Sequence, residues 1–82
     1  MDGRRRRLLF RASHRGTHEL DLIIGGFVAP RIAAFTAAEL DALEKVLDMP
    51  EPDLADFLTG LRPIPPDADS SMLRAIRDSA LR

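Results

Sequence analysis

Four stretches of this chain repeat apolar residues at spacings of three and four, and nowhere do apolar and polar positions alternate as in a half-buried strand. Leu20, Ile23, Ile24 and Phe27, with Val28 beside them, form the first such face, and Leu40, Leu43, Val46 and Leu47 the second. Leu54, Phe57, Leu58 and Leu61 form the third, and Met72, Leu73, Ile76 and Ala80 a weaker last one. A narrow stripe of Leu8, Leu9 and Ala12 precedes them all. Faces of this period must be buried against other elements, so the pattern predicts an all-α fold, a compact bundle of about five short helices.

The residues between these faces set the breaks. The first helix is expected over residues 4–14, with Gly16 ending it and serving as N-cap of the second, which places Glu19 at N3 where a carboxylate is favoured. Gly25, Gly26 and Pro30 predict a kink or break between residues 26 and 30, and the glycine pair also suits close approach of another helix. Thr36 and Glu39 have the spacing of a capping box, with Phe35 placed to staple onto Leu40. Met49-Pro50-Glu51-Pro52 stops the third helix, Pro52 is expected at the first position of the fourth, and Gly60 at its C′ position. Residues 62–68 hold three prolines and read as an extended connector before the last helix.

At 82 residues the chain reads as one domain, 1–82, and a domain of this size buries roughly 60 to 65% of the surface its unfolded chain exposes. That leaves little room for an interior catalytic cavity, and the expectation is a protein that is not an enzyme. The absence of Cys excludes disulfides, thiolate metal sites and thiol nucleophiles. Trp and Tyr are also absent, so platforms for stacking nucleic-acid bases are scarce. The net charge of −1 is unevenly spread: residues 1–15 carry six Arg against Asp2, a net of +5, and the remaining 67 residues carry a net of −6. Such a dipole suits docking to a partner of mixed charge.

Residues 1–7, with Arg4 to Arg7 in succession, read as a basic leader frayed by mutual repulsion. The apolar run after them, Leu8-Leu9-Phe10, is too short for an export signal, and no stretch approaches the ~18 apolar residues of a membrane span. The expectation is an unprocessed cytoplasmic protein with no membrane insertion, monomeric when free.

Charge and glycine meet at Arg15-Gly16-Thr17-His18-Glu19-Leu20-Asp21. On local physics alone, Arg15 is a cation at a helix C-terminus and Glu19 an anion at a helix N-terminus, each contributing about 0.3 to 1 kcal/mol at an exposed site. His14 and His18 are four apart, but Gly16 interrupts the helix that would bring both to a metal, and no third ligand is evident. Arg4 to Arg7 could neutralise phosphates, which keeps a small helical nucleic-acid-binding or regulatory protein as the alternative. Against it, the third helix is acidic, with Glu39, Asp41, Glu44 and Asp48 against Lys45.

The same stretch, Arg15-Gly16-Thr17-His18-Glu19, resembles the Arg-Gly-x-x-Glu signature of the succinate dehydrogenase assembly factor family, small helical proteins that promote covalent attachment of FAD to a flavoprotein subunit. The resemblance runs over roughly residues 8–61. Leu40 to Leu47 is similar to the family's third helix, and Pro52-Asp53-Leu54-Ala55-Asp56-Phe57-Leu58 to its Pro-Asp-Leu-x-x-Trp-Leu segment, with Phe57 where Trp is usual. It implies a chaperone-like factor that binds the flavoprotein subunit of succinate dehydrogenase, and of fumarate reductase as a further candidate. The partner supplies FAD and the nucleophilic histidine, and no cofactor or metal is bound stably by this chain. It implies partner contacts at Arg15, Gly16 and Glu19, with Arg11, His18 and Asp21 as neighbours.

Overall fold

No helix in this chain exceeds 11 residues, a length that is marginal for an isolated helix in water, so each persists only by burying a face against the others. The computed structural model describes residues 1–82. Five α-helices follow one another: α1 (Gly3–Ser13), α2 (His18–Val28), α3 (Ala37–Leu47), α4 (Glu51–Leu58) and α5 (Ser71–Ala80), with a 3₁₀ turn at Ile32–Ala34 between α2 and α3. The all-α bundle expected from the spacing is what forms. No helix is long and apolar enough to cross a membrane.

One hydrophobic cluster draws on every helix. Ile24, Leu43, Leu47, Leu54, Leu58, Leu73 and Ile76 are wholly enclosed in it, and no polar or charged residue is buried. Helix α1 runs along α2, while α5 lies against α2, α3 and α4. The α1–α2 contact is close because Gly25 faces Ser13: a Cβ built on Gly25 would stand 2.8 Å from Ser13 Oγ and 3.2 Å from its Cα. Gly26, its neighbour, has nothing within 4 Å of the corresponding position. Only the first member of the glycine pair therefore serves helix packing. Helix α2 continues through both glycines to Val28 before the turn that holds Pro30.

Residues 1–7, read from the sequence as a frayed leader, are instead helical from Gly3 onward. Asp2 caps the helix by accepting from the Arg5 amide at 2.8 Å; that hydrogen bond, reinforced by the Arg5 side chain, lowers the Asp2 carboxyl pKa from its ordinary value. Two of the four consecutive arginines, Arg4 and Arg5, find partners elsewhere in the fold, while Arg6 and Arg7 make no ion pair. Arg4 donates to Asp41 at 2.6 Å and Glu44 at 3.2 Å on α3, the Asp41 bond being the main cause of a raised guanidinium pKa. Arg5 donates to the carbonyls of Ile32 at 3.0 Å and Phe35 at 2.6 Å, tying α1 to the 3₁₀ turn.

Other boundaries shift by a residue. Thr17, not Gly16, is the N-cap of α2, so Glu19 occupies N2 rather than N3. Pro52 is the second residue of α4, after Glu51. Leu61, expected on the buried face of α4, is 75% exposed, because Gly60 at φ +79 turns the chain off the helix. Arg62 then folds back over α4 to Asp56 and Asp53, both at 2.8 Å. Its guanidinium carbon lies 4.9 Å from the centre of the Phe57 ring. Ala80, the last residue of α5, is likewise exposed rather than part of the core stripe. The connector at 62–68 is non-helical but not wholly extended, since Ala68 donates to Pro65 and Asp69 to Pro66 in a turn.

The start of α3 forms as the sequence predicts. Glu39 N–H donates to Thr36 Oγ1 at 3.1 Å and Thr36 N–H to Glu39 Oε1 at 2.8 Å, a complete capping box. Thr36→Ala is expected to lower stability by about 1 kcal/mol, measured by urea unfolding. A shift in midpoint within error would mean that water satisfies the freed amide as well as the hydroxyl does.

Candidate functional site

The turn from α1 to α2 is built from both backbone and long-range contacts. After Ser13 the chain leaves the helix at His14, and Gly16 takes φ +99, a left-handed conformation that a residue with a Cβ adopts only with strain. Thr17 Oγ1 then accepts from the Leu20 amide to start α2. Asp21, one turn into α2, reaches back to accept a short hydrogen bond from the Arg15 amide. Asp21 is thus committed to holding the turn, a role that its place beside the signature did not indicate.

Arg15 is not the exposed helix-end cation of the local reading. Its side chain is only 13% exposed. The guanidinium donates through Nη1 to the carbonyl of Leu47 at 2.8 Å, at the C-terminus of α3. Its Nε lies 3.5 Å from Glu51 Oε1, at the first residue of α4, without forming a hydrogen bond. One arginine therefore fastens the α1–α2 turn to the α3–α4 turn, stabilising a helix C-terminus where unpaired carbonyls favour a cation. Arg11 adds a parallel link one turn earlier, donating to Asp48 at 2.7 Å. No local signal pairs Asp48 or Glu51, which flank the Met49-Pro50 break and become partners only through the tertiary fold.

Glu19 presents the opposite case. It is exposed and takes part in none of the molecule's ion pairs. His18, also exposed, is the first residue of α2. His14 packs parallel to Phe10, with ring centres 4.0 Å apart, and its Nδ1 lies 2.8 Å from the Phe10 carbonyl. No group of three or more His, Cys, Asp or Glu side chains is placed to hold a metal ion. The structure thus separates the predicted residues into two sets. Arg11, Arg15 and Asp21 brace the corner from within, Gly16 shapes it, and His18 and Glu19 face outward.

The site belongs to a small all-α bundle that presents one braced corner with an exposed carboxylate. The comparisons define which kind. The chain matches the family model Sdh5, described as "Flavinator of succinate dehydrogenase", over residues 6–80, and it belongs to that family. It is 50% identical over 80 residues to the "FAD assembly factor SdhE" of Acetobacter pasteurianus, an alignment covering 96% of this chain and 73% of that protein. It is 32% identical over 84 residues to the mitochondrial "Succinate dehydrogenase assembly factor 2" of Scheffersomyces stipitis, covering 98% of this chain and 56% of the relative. The Arabidopsis thaliana protein of the same name is 38% identical over 65 residues, covering 79% of this chain and 34% of its own length. No solved structure gives a significant match.

Stability and exposure predict different outcomes for the three signature residues. Arg15→Ala is expected to cost about 1 to 3 kcal/mol, because it removes a hydrogen bond from a charged donor and leaves the Leu47 carbonyl without that partner. Glu19→Ala is expected to fall within about 0.5 kcal/mol of wild type. Gly16→Val is expected to cost about 1 to 3 kcal/mol from backbone strain alone, since a Cβ there would have ordinary space, 3.7 Å from Glu51 Oε2. Denaturant unfolding of the three variants checks the order; equal losses for Arg15→Ala and Glu19→Ala would contradict the bracing role.

Proposed function

We propose that this chain binds the flavoprotein subunit of succinate dehydrogenase and promotes covalent attachment of FAD by holding that partner in a linkage-competent conformation. The observation that carries this reading is the family match across residues 6–80, with Glu19 exposed and free of partners on a corner that Arg15 keeps rigid. Covalent flavin linkage needs a proton removed from the flavin methyl, negative charge stabilised on the ring, and the reacting atoms held in place. This chain's own contribution is the last of these. It acts as an assembly factor rather than an enzyme, works as a monomer in the cytoplasm, and does not insert into a membrane.

FAD belongs to the partner in this reading. A concavity of about 560 Å³ between α3 and the connector is lined by Asp41, Asp67 and Asp69 against the single cation Lys45. That charge is of the wrong sign for a pyrophosphate, so this concavity does not suit the cofactor. The nucleic-acid alternative draws little support from the basic leader. Arg4, Arg5, Arg11 and Arg15 are engaged by carboxylates or carbonyls of the same chain, which leaves Arg6 and Arg7 as the leader's uncommitted cations.

The experiment is complementation of a strain lacking its own assembly factor, read by in-gel flavin fluorescence of the flavoprotein subunit. Wild type is expected to restore covalent flavin. Glu19→Ala is expected to leave most of it unrestored while folding normally. Full flavinylation with Glu19→Ala would move the contact away from this corner, and none with wild type would reject the function.

A further inference from the structure

An open cleft runs between α3 and the start of α5, on residues other than those of the Arg15 corner. Its volume is about 420 Å³, within the roughly 300 to 1,000 Å³ typical of small-molecule sites. Ala38 and Ala42, one turn apart on α3, and Ala75 on α5 line it where longer side chains would close it. Phe27, Phe35 and Met72 supply the larger apolar walls. Phe35 and Met72 also belong to the hydrophobic core, each only 8% exposed, so these walls are fixed by the packing beneath them.

Two charged side chains line the cleft, Arg31 and Glu39, and the fold commits only one of them to a charge partner. Glu39 Oε1 accepts from the Thr36 amide in the capping box, and its carboxylate sits in the first turn of α3, where the helix dipole offsets it. Arg31 takes part in none of the molecule's ion pairs. Its guanidinium carbon nevertheless has a defined place, 4.2 Å from the centre of the Phe27 ring. Its Nη1 donates to the Phe27 carbonyl at 2.8 Å. Nε and Nη2 make no hydrogen bond within the chain, so the fork that matches a carboxylate stays available at the edge of the cleft.

We propose that the α3–α5 cleft binds an apolar monocarboxylate, a short acyl or aryl acid, with its carboxylate on Arg31 and its hydrocarbon against Phe35, Met72 and the three alanines. Apolar walls with one prepositioned cation complement an amphiphile that carries a single negative head. A second negative group on the ligand would lie against alanine and methionine without a counter-charge, which disfavours dicarboxylates and nucleotides. The neighbouring concavity shares Ala38 and Ala42 but is lined by Asp41, Asp67 and Asp69, and it repels the same head group. Orientation therefore follows from charge, with the carboxylate at the Arg31 end. The inference is independent of the proposed function and stands whether or not that reading does.

The test titrates the full isotope-labelled chain with octanoate and follows its amide and methyl NMR signals, with thermal melts of each variant alongside. Octanoate is expected to shift the signals of Phe35, Ala38, Ala42, Met72 and Ala75 saturably. Uncharged 1-octanol is expected to bind there at least about tenfold more weakly. Arg31→Gln is expected to weaken octanoate about tenfold and to leave octanol unchanged; the side chain is exposed, so the fold tolerates the change. Ala75→Leu keeps a strong helix former on α5 and fills the cleft, and it is expected to abolish the shifts without lowering the melting temperature. Octanol binding as tightly as octanoate, or Arg31→Gln matching wild type, would overturn the assignment of the carboxylate to Arg31. Octanoate shifts that do not saturate, or that centre on another part of the surface, would overturn the site itself.

Discussion

The guanidinium of Arg15 is the point on which the arrangement of the corner depends. It is the one side chain that reaches from the α1–α2 turn to both sides of the α3–α4 turn, meeting the last carbonyl of α3 and the first carboxylate of α4. A charge this enclosed persists only with partners, and here the partners are what fixes its position. Its Nε remains without a hydrogen bond beside Glu51, so the contact is electrostatic and directional on one side only. With the backbone of Arg15 also held by Asp21, Gly16 and Thr17 have little freedom, and Glu19 is delivered at a fixed place at the start of α2. Rigidity of this kind reduces the conformational entropy lost on binding.

The remaining ion pairs of α1 serve alignment more than stability. Arg4 with Asp41 and Glu44, and Arg11 with Asp48, run along one side of α1 against the acidic outer side of α3. Exposed pairs of this type contribute roughly 0 to 1 kcal/mol each. Their value lies in matching a spacing of seven on α1, Arg4 to Arg11, to the same spacing from Asp41 on α3 to its cap Asp48, which favours one register of the two helices. The uneven charge of the sequence is therefore consumed largely inside the molecule, and this explains why a chain with a strongly basic beginning presents a mixed surface.

What was legible in the sequence was local. The capping box at Thr36, the core faces of α3 and α5 up to Ile76, and the left-handed glycines at 16 and 60 each depend on residues within a few positions of one another. What was not legible depended on distant partners. Nothing near Arg4 and Arg5 foretells Asp41 or the Phe35 carbonyl, so the leader read as repulsive and frayed. Nothing near Arg15 foretells Leu47 or Glu51, so a largely enclosed arginine read as an exposed one. Leu61 failed for a third reason: its spacing fits the helix, but Gly60 ends the helix before that spacing can operate. At the candidate corner, the break at Gly16 between α1 and α2 was legible in the sequence although the N-cap falls at Thr17 instead, while the division between bracing and outward-facing residues required the tertiary contacts.

That division bears on why a signature of this kind combines residues with opposite relations to the fold. Arg15 and Gly16 are constrained by the chain's own geometry, and changing either disturbs the corner before any partner is met. Glu19 makes no ion pair and interacts with the fold as an acidic residue in the first turn of α2, and Gly26 lowers the intrinsic helix propensity of α2. Both residues fall on one side of α2, two turns apart, with exposed Leu22 between them. The fold thus accounts for the rigid part of the signature, Arg15 and Gly16, and leaves Glu19 at the surface of α2.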